Sequence, residues 1–250
     1  MLPAIDDIAC CAIFLDLDGT IVELVEHPDA VLVEASTLQL LTRLHDKTGG
    51  ALAVISGREI ALIDLLLRPL ILPAAGVHGL QRRDPAGILH QQNTSDFRSV
   101  TLTLRKVVGG EAGIVIEQKP GAVALHYRLR PELERRCCEV AEEIVQSRPD
   151  LRLERGKMVF EILEKGAGKG SVIEAFLAEP PFLGRRPIFA GDDVTDESGF
   201  SAVNARGGLS IKVGANNTGA HFRARDVDEL RGWLSQLAGE TLRGVSDERT

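Results

Sequence analysis

The chain has 250 residues, 44% of them apolar and 4% aromatic, and a formal net charge of −7. The acidic balance excludes the basic surface that sequence-independent nucleic-acid binding requires, and the scarcity of aromatic rings excludes a base-stacking platform. Length and apolar content suffice for one large domain, or for a core with a smaller companion. No apolar run is long enough to span a bilayer, and Asp6 and Asp7 break the N-terminus before a leader could form. A soluble cytoplasmic protein with no membrane or nucleic-acid partner is therefore expected. The four cysteines form two adjacent pairs, Cys10-Cys11 and Cys137-Cys138, without zinc-ligand spacing, and read as buried free thiols.

Strand and helix signals alternate from the start. Residues 10–15 are an apolar strand, and residues 34–45 carry Leu38, Leu41 and Leu44 at helical spacing before Gly49-Gly50. A short buried strand over 52–55, a helix over 59–67 stopped by Pro69 and a third strand over 70–74 complete a βαβαβ order. That order predicts a parallel sheet with right-handed crossovers. Residues 79–93 are polar and turn-rich. The pattern then changes to a helix over 97–108 and two strands, 113–118 and 123–128, joined by the Lys119-Pro120-Gly121 turn. A helix over 131–146 opened by Pro131 follows, then strands over 151–155 and 158–163. After Gly166-Ala167-Gly168 the first pattern resumes with a helix over 169–177, a strand over 188–190, a helix over 195–203, a strand over 209–213 and a helix over 228–237. The expected division is a core from residues 1–93 and 165–250 with an inserted α+β domain over 94–164.

Chemistry-bearing residues gather at the ends of these elements. Asp16 and Asp18, within Asp16-Leu17-Asp18-Gly19-Thr20, close the first strand two residues apart. Both then project the same way from the edge where open α/β sheets bind ligands. Such a pair is either an Asp-Gly turn or a site for a hard cation and acid, base or nucleophilic work. A second cluster, Gly191-Asp192-Asp193-Val194-Thr195-Asp196-Glu197, follows another short strand. Helix capping accounts for Thr195, Asp196 and Glu197 but not for Asp192 and Asp193. Carboxylates at that density raise one another's pKa unless a cation lies among them, and Mg2+ takes hard oxygen ligands and bridges to phosphate. Ser56, with Gly57 and Arg58, ends the second strand, where a hydroxyl beside backbone N–H groups can hold a phosphate oxygen. Lys169 opens a helix, adding an ammonium to an N-terminus that already favours anions.

In chain order, Asp-x-Asp-Gly-Thr, Ser56, Lys169 and Gly-Asp-Asp-x-x-Asp resemble the motifs of the haloacid dehalogenase (HAD) superfamily of phosphohydrolases over essentially the whole chain. The insertion is similar to that superfamily's second (C2) type of cap. The acidic cluster with Phe200, the Glu117-Gln118-Lys119 and Ala124-Leu125-His126-Tyr127-Arg128 pair, Gly76-Val77-His78-Gly79 and Ile55-Ser56-Gly57-Arg58 resemble the trehalose-6-phosphate phosphatase family more closely. The stretch from Glu164 to Lys169 departs from that pattern, because the family more often shows a proline after Glu161; Lys169-Gly170 matches the lysine motif best.

The resemblance implies a HAD-like Rossmannoid core, a parallel sheet flanked by helices, and Mg2+-dependent hydrolysis of trehalose 6-phosphate. It makes Asp16 the nucleophile and Asp18 the general acid, later the base. Asp16, the backbone carbonyl of Asp18, and Asp192 would hold the metal, with support from Asp193 and Asp196. Thr20, Ser56, Gly57 and Lys169 would contact phosphate, and Arg58, His78, Glu117, Lys119, His126, Arg128 and Glu161 the sugar. The implied partner is a small-molecule sugar phosphate, with a pathway link to a trehalose-6-phosphate synthase. Three alternatives stand: a phosphatase for another sugar phosphate, of the sucrose-6-phosphate or mannosyl-3-phosphoglycerate type; a phosphotransferase, in which an alcohol replaces water on the aspartyl-phosphate; and a non-catalytic regulatory domain, which the presence of both Asp16 and Asp18 disfavours.

Overall fold

The first strand, β1 (Cys11–Leu15), is buried at every position. Cys11, Ile13 and Leu15 enter the apolar cluster on one face of the sheet, and Ala12 and Phe14 enter the cluster on the other. A strand covered on both faces has no polar side to show, so its sequence is a continuous apolar run.

The structure is a computed structural model that describes residues 2–24, 31–91, 97–119, 121–166 and 168–239, the side chain of His78 excepted. After β1 come β2 (Leu52–Ile55), β3 (Ala74–Gly76), β4 (Gln81–Arg83), β5 (Leu89–Gln91), β6 (Val115–Lys119), β7 (Ala122–His126), β8 (Leu151–Gly156), β9 (Val159–Glu164), β10 (Arg186–Gly191), β11 (Leu209–Val213) and β12 (Phe222–Ala224). The main sheet runs β12-β11-β10-β1-β2-β3-β4-β5, parallel as far as β3 and antiparallel beyond it. Helices α1 (Ala35–Lys47) and α2 (Ile60–Leu67) cover one face. The later helices α5 (Lys169–Leu177) and α6 (Glu197–Ala205) cover the other, and α7 (Val227–Leu237) lies with α1. This is the α/β architecture that the alternation predicts.

A second, antiparallel sheet, β6-β7-β9-β8, packs one face on α3 (Arg98–Val107) and α4 (Glu134–Ser147) through Val123, Leu125, Phe160, Ile162, Leu104 and Val140. Period two sends the alternate residues to the opposite face. The register aligns Glu117, Ala124, Glu161 and Glu154 in one row there, and Lys119, Ala122, Leu163 and Arg152 in the next. Ala122 and Leu163 meet Val77 and Leu80 of the main body in a small apolar joint.

Several expectations shift. The apolar run 70–74 is irregular up to Pro73, which lacks the N–H a ladder needs; the strand begins at Ala74. Residues 79–93 contain β4 and β5, too short and polar to leave a periodic signal, and β12 was likewise unmarked. The strand expected to reach Arg128 stops at His126, so Arg128 lies in the following turn. Pro120 and Ala167, in two of the expected turns, lie outside the described residues. Cys10 is exposed rather than buried, and Cys138 is half-buried. Among the described residues no helix is long and apolar enough to cross a membrane.

Phe14 is fully buried and stacks on Phe182 at 5.3 Å, with Phe176 at 6.0 Å. Phe14→Ala should lower unfolding free energy by about 3–5 kcal/mol in urea titration, and a loss below about 1 kcal/mol would contradict this packing.

Candidate active site

Leu15 pairs with Ala190 at the ends of β1 and β10, so the loops that follow leave the sheet side by side. Gly19 turns the first loop with φ of +77°, and a Cβ there would stand 2.2 Å from Asp192 Oδ2. Only glycine lets the two acidic loops approach this closely.

Asp16 is 5% exposed. Its Oδ1 accepts from Lys169 Nζ at 2.6 Å and its Oδ2 from the Thr20 hydroxyl at 3.1 Å. Lys169 also donates to Asp196 Oδ1 at 2.5 Å. Carboxylate oxygens of Asp16, Asp192 and Asp196 all lie within 4.8 Å of one another. Burial, then Asp196 and Asp192, push the Asp16 carboxyl well above its usual range, with Lys169 opposing. Burial and the neighbouring Asp196 and Asp193 raise Asp192 to about 7. Burial alone would lower the Lys169 pKa, but Asp16 and Asp196 outweigh it and hold the ammonium charged. Three crowded carboxylates facing one lysine form a set of hard oxygens with surplus negative charge, which suits a divalent cation.

The other expected residues divide into three groups. Asp18 lies outside the trio; its carboxylate is gripped by Arg58, Nε to Oδ2 at 2.6 Å and Nη2 to Oδ1 at 2.8 Å. Arg58, expected on the sugar, thus holds a core acid. Thr20 is fully buried behind Asp16 and positions that carboxylate rather than reaching the cleft. Asp193, expected to support the metal, lines the cleft beside Asp192, while its side chain also caps the turn before α6 and accepts from the Lys157 N–H after β8. Ser56 and Gly57 do line the cleft with Lys169, whereas Lys165 is exposed. The side chain of His78 lies outside the described residues.

Across a cleft of about 570 Å³ stands the second sheet. Lys119 Nζ donates to Glu161 Oε1 at 3.0 Å and to the Gly57 carbonyl at 3.3 Å, and lies 3.7 Å from Glu117. His126 Nε2 is 3.0 Å from Glu117 Oε2, and that bond, more than the burial opposing it, holds the Glu117 pKa down. Arg128, though past the strand end, also lines the cleft.

The trehalose-phosphatase family matches residues 14–229, nearly the whole span from β1 into α7. The chain belongs to that family. It is 43% identical over 226 residues to the trehalose-6-phosphate phosphatase of Escherichia coli (strain K12), covering 90% of this chain and 85% of that one. Among solved structures, a trehalose-6-phosphate phosphatase related protein aligns with TM-score 0.70 and 30% identity, over 91% of this chain and 96% of its own. A haloacid dehalogenase-like hydrolase from B. subtilis shares the fold, with TM-score 0.67 and 14% identity over 90% and 98%.

For this trehalose-phosphatase family member, the sequence reading missed Lys212. It is 1% exposed and donates to the Asp192 carbonyl from β11. A lysine between Ile211 and Val213 in a short strand was the available signal. Thr195 and Lys157 also line the cleft.

Asp192, raised from 3.8 to about 7, binds more protons folded than unfolded between those values. Stability of the metal-free protein should therefore fall as pH rises through that window. A divalent cation should raise Tm more at about pH 8 than at about pH 5; an equal rise at both would contradict the carboxylate trio as its site.

Proposed function

We propose that this chain is a Mg2+-dependent phosphatase that hydrolyses trehalose 6-phosphate to trehalose and phosphate through an aspartyl-phosphate at Asp16. The observation that carries the reading is the buried Asp16–Lys169 pair facing Lys119, Glu117 and Glu161 across one cleft. The named activity of the 43% identical relative supports the substrate.

Mg2+ held by Asp16, the backbone carbonyl of Asp18 and Asp192, with Asp196 beside them, would offset phosphate charge and keep Asp16 ionised. Lys169 and Ser56 bind non-bridging oxygens and fix the phosphorus in line with Asp16. An Asp16 oxygen bonds to phosphorus as the bond to the sugar oxygen breaks, and Asp18 donates the proton that oxygen takes. Water then attacks the phosphorus, Asp18 recovers a proton from it, and phosphate leaves Asp16. While Arg58 holds both oxygens of Asp18, the acid cannot take up this work. The arriving phosphate offers Arg58 another anion and frees Asp18.

Residues 94–164 act as the cap in this reading, and 1–93 with 165–250 as the catalytic core. Lys119 stays charged: burial opposes this, but Glu161 and Glu117 prevail. Glu117 and Glu161 accept from sugar hydroxyls, and Lys119, His126 and Arg128 donate. The Asp16 and Asp18 carboxylates weigh against a non-catalytic regulatory role.

Asp16→Asn should keep its circular dichroism spectrum yet lose at least about a thousandfold in kcat; substantial residual turnover would refute the nucleophile. Glu117→Ala and Lys119→Ala should each lower kcat/KM for trehalose 6-phosphate far more than for a small aryl phosphate. Equal losses on both would remove these residues from sugar recognition.

A further inference from the structure

Asp193 adjoins Asp192 in sequence, but its oxygens are engaged elsewhere. Oδ1 accepts the N–H of Val194 at 2.8 Å, and Oδ2 accepts the N–H of Lys157 at 3.2 Å. Lys157 belongs to the two-residue turn between β8 and β9, just beyond the paired Gly156 and Val159. The turn is shaped for close approach. A Cβ on Gly156 would stand 3.2 Å from Asp193 Oδ2, and Met158 closes the turn with φ of +62°. Gly156 and Lys157 line the same cleft as Asp192.

On the other hairpin of the same sheet, Lys119 donates to the Gly57 carbonyl at 3.3 Å. Each hairpin of the second sheet thus touches a catalytic loop. A body held at one hydrogen bond can pivot about it, whereas two such bonds together with the apolar joint at Ala122 and Leu163 define a single seating.

We propose that Asp193 is a positioning residue that docks the β8–β9 turn on the acidic loop, with one oxygen capping that loop and the other holding the cap. Seating the turn sets where Glu161, on β9, stands over the carboxylates, and with it Lys119. The proposal rests on the sugar-phosphate reading of this site and gives Asp193 a mechanical place in it instead of a metal-supporting one.

Two variants separate these roles in the full chain with Mg2+ present. Asp193→Ser keeps a short acceptor for Val194 but cannot reach Lys157. Lys157→Pro removes the donor without touching a carboxylate. In both, hydrogen exchange in the β8–β9 turn should rise. KM for trehalose 6-phosphate should rise by up to about tenfold, within what one hydrogen bond to a carboxylate supplies, with a smaller change in kcat. The double variant should be no worse than the more affected single one. Mg2+ affinity by calorimetry should weaken by less than about tenfold in Asp193→Ser, where a neighbouring negative charge but no ligand is lost, and should hold in Lys157→Pro. Unchanged exchange in Asp193→Ser, multiplying losses in the double variant, or Mg2+ binding weakened more than about tenfold would overturn the proposal. If Lys157→Pro does not fold, exchange and calorimetry on Asp193→Ser decide alone. If the parent enzyme spares trehalose 6-phosphate, the substrate reading fails, while those two measurements still judge Asp193.

Discussion

One buried ammonium underlies the whole site. Lys169 reaches Asp16 and Asp196 with all three side chains almost wholly removed from water. Burying carboxylates together is costly unless opposite charge is supplied at hydrogen-bonding distance. Its position requires three remote pieces of chain to converge: the end of β1, the loop after β10 and the first residue of α5. The parallel sheet brings the first two to one edge, and the return of the chain from the second sheet delivers the third. Lys212, beneath the Asp192 loop, adds a second buried cation from β11. The core is thus organised around an electrostatic imbalance that suits a divalent ion.

The sequence revealed most of this frame because burial on both faces leaves long apolar runs, and because loops at strand ends carry short polar motifs. β1, β2, β11 and α5 were legible for that reason. Three-residue strands were not: β4, β5 and β12 contain too few positions for a period to show. At the site, residue types and order marked Asp16, Asp192 and Lys169 for one place, whereas pairings between loops left no trace. The grip of Arg58 on Asp18 joins residues 40 positions apart. The reach of Asp193 to a backbone N–H depends on no side chain at Lys157 at all. Spacing along the chain says which groups share an edge, and only packing says which atoms meet.

Among the described residues the second sheet meets the core through an apolar joint and through polar contacts that include those at Gly57 and Asp193. Val77 and Leu80 press on Ala122 and Leu163 beside the row that carries the polar groups. Such a joint is small and non-directional, so it resists separation while permitting tilt. The hydrogen bonds at Gly57 and Asp193 supply the direction that the apolar contact lacks.

The two faces of that sheet have separate duties. Val123, Leu125, Phe160 and Ile162 hold α3 and α4, while the alternate positions present Glu117, Ala124, Glu161 and Glu154 in a single row. Because neighbours along a strand serve opposite faces, this row can be rewritten residue by residue without disturbing the layer behind it or the carboxylates across the cleft. In the proposed reading the chain therefore keeps its vocabulary of recognition apart from its grammar of catalysis, and a lineage with this sheet can change what it admits while retaining how it reacts.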